Sequence, residues 1–140
     1  MKPEVLWTMS SKAYHSGHLF KAKTLKMLNY VLFRCVLPYE CEIGAEITFW
    51  HRALGTVIHP SIKVGNKVQI AHGVTIAGSG RGISEVGDGV IVAANAVIIP
   101  KAGMPFKIGS GAIIGAGAIV VGDVPENAVM VGNPAKNTRC

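Results

Sequence analysis

A chain of 140 residues, 49% hydrophobic and 16% charged, is one domain's worth of material that can bury a core and is too apolar for global disorder. No apolar run reaches the roughly 18–20 residues that cross a bilayer, so the mean hydropathy of +0.38 reflects scattered aliphatic residues. Cysteines at 35, 41 and 140 form neither a disulfide framework nor a CxxC pair, and polar residues break up the first 20 positions where a signal peptide would lie. A soluble protein of a reducing, cytoplasmic compartment is therefore expected.

The net charge of +6 is an N-terminal property. Residues 1–36 hold Lys2, Lys12, Lys21, Lys23, Lys26 and Arg34 against Glu4 alone, a net of +5, and residues 37–140 carry only +1. No recognition motif accompanies the charge, so nucleic acid is not an expected partner. A solvated helix face is the plainer reading, and contact with an anionic membrane surface is the alternative. Within this segment Leu25, Leu28 and Leu32 recur at spacings of three and four. That pattern predicts a helix over 19–34, stopped by Pro38.

From residue 37 the pattern changes to a period of six. Aliphatic or aromatic residues recur at Leu37, Ile43, Phe49, Ile58, Val64, Ile70, Ile76, Val86, Val92, Ile98, Ile108, Ile114 and Val120, with a small or β-branched residue four places further on in most cases. A helix needs a period near 3.6 and a plain amphipathic strand has no six-residue grouping. A period of six is the signature of a hexapeptide β-helix, three hexads to a coil. Three insertions interrupt the frame, at 49–58, 76–86 and 98–108. Removing them restores it and leaves about four coils. The fold class expected is all-β: a parallel β-helix over 37–140 with a C-terminal tail, preceded by a helical cap over 1–36 that covers the open first coil.

Assigning every third hexad to one wall tests the frame. One wall collects Ile43-Gly44, Val64-Gly65, Val86-Gly87 and Ile108-Gly109, glycines expected to permit a turn. Another stacks the hexads starting at Phe49, Ile70, Val92 and Ile114, whose third positions are His51, His72, Ala94 and Ala116. Adjacent strands lie about 4.8 Å apart, so the two imidazoles should be neighbours at the foot of an alanine strip. Such a column suits a site with a groove for a thin, extended ligand. His51 also lies in the first insertion, where the chain leaves the coil.

These residues carry a resemblance. The run FWHRALGTVIHPSIKVGNKVQIAHGVTIAGSG, followed by GDGVIVAANAVI, KIGSGAIIGAGAIVVGDVP and the terminal VGNPAK, resembles the hexapeptide acyltransferases, in particular the serine acetyltransferase-like branch and the related sugar and polysaccharide O-acetyltransferases. The resemblance implies a left-handed coil, a homotrimer with sites between neighbouring subunits, and acetyl-CoA as donor with no metal. It implies His51 as the catalytic general base, Ala77, Gly78, Ala94 and Ala116 as contacts for CoA, and Lys136 and Arg139 in the tail that meets its phosphates. An imidazole titrating near 6.5 fits the role of base toward a hydroxyl, help typically worth about 10²–10⁴-fold.

The sequence also departs from that pattern. The loop Gly80-Arg81-Gly82-Ile83-Ser84-Glu85 is short and lacks the second histidine of serine acetyltransferases; Trp50 stands where the acidic residue before the catalytic histidine is usual, and Val36 near its aspartate partner. The expected acceptor is accordingly the hydroxyl of a sugar, polysaccharide precursor or similar small molecule, with free serine as the alternative and a non-catalytic scaffold as the reading of another class. Trp50 is an acceptor wall or a subunit contact, and His72 lines the site or fills an outward coil position. His51 is to be oriented by Glu40, Glu42, Glu46 or a carbonyl. His59 reads as structural, Cys35 and Cys41 as small core residues, Phe106 as a lid on the groove or a corner seal, and Cys140 as a chain-end thiol without a role.

Overall fold

The structure, a computed structural model, describes residues 1–139; Cys140 lies outside the described residues. Two helices, α1 (Pro3–His15) and α2 (Leu19–Phe33), precede a solenoid of two- to four-residue strands. The first wall stacks Thr48–Phe49, Gln69–Ile70, Ile91–Val92, Ile113–Ile114 and Val129–Gly132 in parallel, and Ala135–Asn137 returns antiparallel along the last of them. The second wall holds Val57–Ile58, Thr75–Ile76, Val97–Ile99 and Ile119–Val121, and the third Ile62–Val64, Ser84–Val86 and Lys107–Ile108. Phe49, Ile70, Val92 and Ile114 are direct register partners, as the six-residue frame requires. The third wall limits full strand pairing to about three turns, and the bridges Ile43↔Val64 and Ile108↔Val124 extend it by a rung at each end toward the expected four.

The period of six follows from packing. Successive side chains of each strand point alternately inward and outward. Ile58, Ile76, Ile98 and Val120 therefore stack inside the second wall, and Ile70, Val92 and Ile114 inside the first, all essentially inaccessible to solvent. The small residues four places on, Val68, Val90, Ala96, Ala112 and Ala118, fill the narrowing corners and are buried too.

The glycines at 44, 65, 87 and 109 have a different reason than the turn conformation expected of them, for none has a positive φ. A Cβ on Gly87 would lie 2.7 Å from the backbone nitrogen of Ser110, and one on Gly44 2.6 Å from the Gly65 carbonyl carbon. They are glycine because successive coils touch at this corner. The left-handed position falls two residues later, at Glu46, Lys67, Gly89, Gly111 and Asn127. Between the two runs a ladder of hydrogen bonds: the Ala45 N–H donates to Asn66 Oδ1 (2.8 Å), the Asn66 N–H to Asp88 Oδ1 (2.7 Å) and the Asp88 N–H to Ser110 Oγ (3.2 Å).

The N-terminal segment holds two helices rather than the one expected, and α1 supplies most of the cap. Pro3 starts it in the first turn beside Glu4, and Lys12 and His15 lie in its last turn, all favourable positions. Its buried residues are Pro3, Leu6, Trp7, Ser10, Ser11 and Ala13. Three of the six are small and two of those are polar, so the spacing is not apolar enough to register as a helix. The Trp7 ring meets Phe49 with centroids 5.7 Å apart. Its Nε1–H donates to the Pro38 carbonyl (2.8 Å), and Ser11 Oγ donates to the Cys41 carbonyl (2.8 Å). Carbonyls of the first coil are thus paired rather than left as an open edge. Helix α2 packs on α1 through Ala22 and Asn29, whose Nδ2 donates to the Pro3 carbonyl (3.1 Å). It ends on a left-handed Arg34 (φ 55°), four residues ahead of Pro38, so the C-cap and not the proline terminates it. The expected stripe is only half right: Leu25 and Leu28 pack against the core, whereas Leu32 is exposed.

Candidate active site

The first insertion is a tight turn rather than a projecting loop. His51, Arg52 and Ala53 all have left-handed backbone angles (φ 51°, 55° and 58°), a conformation that costs an L-residue roughly 1–2 kcal/mol. Three in succession persist because the surroundings hold them. Ala53 is fully buried, and the Gly55 N–H donates to the carbonyl of Arg34, the C-cap of α2 (3.0 Å). The Leu54 carbonyl accepts from the Gly73 N–H in the coil above (2.8 Å), and Thr56 Oγ1 donates to the Ala71 carbonyl (3.0 Å). The turn is pinned to the end of α2 below and to the coil above, which aims His51 along the corner between the first and second walls.

There His51 meets His72 edge to face, ring centroids 4.9 Å apart and planes at 88°. The two imidazoles are neighbours, as the six-residue register demands. The ring of His51 is exposed, and Nδ1 of His72 is buried without a hydrogen-bond partner among the described residues. Ala94 and Ala116 continue the same corner upward: the Asn95 N–H donates to the His72 carbonyl and the Gly117 N–H to the Ala94 carbonyl. With only methyl groups outside, the corner above the histidines is a smooth, narrow strip.

Trp50 lies over the outer face of the first wall, 39% exposed, its Nε1–H donating to Gln69 Oε1 (3.2 Å). Gln69 was not picked out from the sequence. It occupies the outward position of its strand opposite Thr48, one rung from the Trp50 turn, and a single outward glutamine carries no periodic signal.

The other expected residues divide among corners. Ala77 and Gly78 follow the strand Thr75–Ile76 at the corner of the second and third walls, a full wall away from His51 within one subunit. A Cβ on Gly78 would lie 2.1 Å from His59 Nδ1 and 2.4 Å from Ser61 Oγ, so the glycine accommodates that pair. His59 accepts the Ser61 N–H on Nδ1 (3.1 Å), a local bend consistent with its structural reading. Lys136 pairs in register with Val131 along the top of the first wall. Arg139 sends Nη1 to the Asn127 carbonyl (3.0 Å), at the end of that wall remote from the histidines. Phe106 is 3% exposed and seals the corner of the third insertion.

None of the three glutamates stands beside His51. Glu42 forms an ion pair with Lys63 (3.7 Å), Glu46 occupies a left-handed corner position between the third and first walls, and Glu40 Oε2 is buried beside Pro60 without a hydrogen-bond partner among the described residues. Cys35 and Cys41 are buried core residues, as expected. Burial pushes the Cys35 thiol up to about 11 and the Cys41 thiol up to about 12, each from an ordinary 9.0.

No protein-family model matches the chain. It is 44% identical over 98 residues to the serine acetyltransferase of Mycobacterium tuberculosis, a match covering 67% of this chain and 41% of that protein. The crystal structure of Neisseria gonorrhoeae serine acetyltransferase superposes with a TM-score of 0.84 at 33% identity, over 98% of this chain and 54% of the other. Serine acetyltransferase from Brucella abortus strain S19, in complex with coenzyme A, gives a TM-score of 0.82 at 26% identity, over 95% of this chain and 53% of the other. The chain thus spans roughly a quarter to two fifths of the length of the curated relatives it matches and about half that of the solved ones. The likeness extends through the helical cap as well as the solenoid. With its left-handed parallel β-helix of six-residue repeats, the chain belongs to the hexapeptide-repeat acyltransferases, in their serine acetyltransferase-like branch.

Proposed function

We propose that this β-helix transfers the acetyl group of acetyl-CoA to a hydroxyl, with His51 as general base. The observation that carries the reading is the His51 turn: an exposed imidazole held rigidly at a corner, edge to face with His72, at the foot of an alanine-lined strip. A hydroxyl attacks a thioester poorly unless its proton is removed as the bond forms, and an imidazole on a strained, doubly tethered turn is pre-positioned for that task. The strip of Ala94 and Ala116 would take the pantetheine arm, and Lys136 at its upper end would meet a CoA phosphate. Gly78 and Ala77 would contribute from a neighbouring subunit, since their own corner is a wall away, and Arg139 would serve the phosphates only if its bond to Asn127 gives way.

The character of the walls supports a homotrimer. Outward positions of the second wall are Val57, Thr75, Val97 and Ile119, and those of the first include Ile91, Ile113 and Val129, surfaces suited to subunit contact. The third wall instead alternates Lys63, Glu85 and Lys107, a sequence of charges suited to water. The corner shared by the two apolar walls is the one bearing the histidines.

All the named relatives are serine acetyltransferases, which supports serine as the acceptor over the sugar expected from sequence. A larger hydroxyl compound stays as a second reading on one observation: Trp50, tied to Gln69, presents an indole where a small zwitterion would call for charge. Thiol release from acetyl-CoA, with serine and a panel of nucleotide-sugars as acceptors, tests both. Serine-dependent release supports the first reading, release only with sugars the second, and none with any acceptor, together with no acetyl-CoA binding, favours the scaffold.

A further inference from the structure

The N-terminal charge and the solvent side of α2 are not used by acetyl transfer. Helix α2 buries Ala22, Asn29 and Phe33 and turns apolar side chains to solvent. Phe20 is 85% exposed, Met27 59% and Val31 54%, at spacings of seven and four, so they form one stripe. Tyr30 and Leu32 flank it and are about half exposed. Lys21, Lys23 and the C-cap Arg34 are exposed around the stripe, and α2 contains no acidic residue. Two shallow furrows run beside Met27, one edged by Lys23 and Lys26 with Tyr30 and Tyr39, the other by Lys23 with Leu28 and Val31.

We propose that this face of α2 docks on an anionic lipid surface, with Phe20, Met27 and Val31 entering the acyl boundary and Lys21, Lys23 and Arg34 meeting the headgroups. Apolar side chains rimmed by cations, on a helix whose other face is anchored, match what such an interface takes. Charge complementarity selects this occupant over a second copy of the chain: two such faces brought together would set lysine against lysine with no carboxylate between them. The charge asymmetry acts in the same sense, since residues 1–36 carry +5 and the remainder +1.

Cosedimentation of the full chain with vesicles tests this without any turnover, and so stands apart from the acyl-transfer reading. Vesicles of phosphatidylcholine mixed with phosphatidylserine should bind the protein at low salt and release it at high salt, and pure phosphatidylcholine should bind far less. Lys21→Gln with Lys23→Gln should weaken binding on the order of tenfold or more. Met27→Glu with Val31→Glu should abolish it, with the thermal unfolding midpoint unchanged because both side chains are exposed. No binding to the mixed vesicles at low salt, or equal binding to neutral ones, overturns the proposal. So does light scattering that shows an assembly dissociated by Val31→Glu, in a protein that ignores both vesicles: the face would then meet a second copy.

Discussion

The rings of His51 and His72 meet edge to face, 4.9 Å between centroids, and no carboxylate of the described residues pairs with either. His51 is therefore held by its backbone and by its neighbour rather than by an acid. His72→Ala should remove that lateral support and the buried Nδ1 together. Steady-state kinetics should show kcat reduced by about 10–10²-fold with the KM for acetyl-CoA within a factor of two or so. Wild-type kinetics in the variant would return His72 to an outward coil filler.

Trp50 keeps its position through the 3.2 Å hydrogen bond to Gln69. Gln69→Leu should free the indole without disturbing the coil, since the Gln69 side chain faces outward. The KM for the acceptor should rise several-fold while the KM for acetyl-CoA holds, and Trp fluorescence should report a more mobile ring. A Gln69→Glu variant, which retains an acceptor oxygen, should recover most of the loss. An unchanged acceptor KM in Gln69→Leu would mean that Trp50 does not touch the acceptor.

Coil stacking at the corner of the third and first walls depends on absent side chains. Gly87→Ala would drive a Cβ to 2.7 Å from Ser110 N and 2.9 Å from the Ile108 carbonyl oxygen. Both obstacles are backbone, so the coils must separate, and chemical denaturation should record a loss of about 1–3 kcal/mol. Gly89→Ala, where no atom lies within 4 Å but φ is 66°, should cost only about 1–2 kcal/mol of backbone strain. Equal stability of Gly87→Ala and the parent would contradict the close-stacking account.

The two core thiols make stability depend on alkaline pH. Burial raises both, Cys35 from 9.0 to about 11 and Cys41 to about 12, so the folded state holds protons that the unfolded state gives up. Their contribution is complete below pH 9.0 and is lost as pH rises toward 11 for Cys35 and 12 for Cys41. Denaturant midpoints should fall steadily above pH 9.0, each ionising thiol contributing at most about 1.4 kcal/mol per pH unit. The same thiols should resist alkylation near neutrality until the protein unfolds. Rapid labelling of Cys35 or Cys41 in the folded protein would contradict their placement in the core.

The solenoid was legible in the sequence because a β-helix repeats its inward positions with its coils. Phe49, Ile70, Val92 and Ile114 fall in register once three insertions are removed, and the same arithmetic put His51 beside His72. Helix α1 was missed because its buried stripe includes Ser10 and Ala13 and rests on one aromatic anchor, Trp7, whose partner Phe49 is 42 residues distant in the chain. The reason for Gly44, Gly65, Gly87 and Gly109 was misread for a related cause: a close approach between coils leaves the same letter as a turn. Gln69 escaped because a single outward glutamine has no periodic signal, and its role appears only when Trp50 is placed over it.

The central claim is that His51 takes the proton from the attacking hydroxyl, and His51→Ala tests it most directly. Thiol release from acetyl-CoA in the presence of the accepted hydroxyl compound should fall at least about 10²-fold, while calorimetry finds acetyl-CoA affinity nearly intact. Release at the parental rate in the His51→Ala protein would contradict the account.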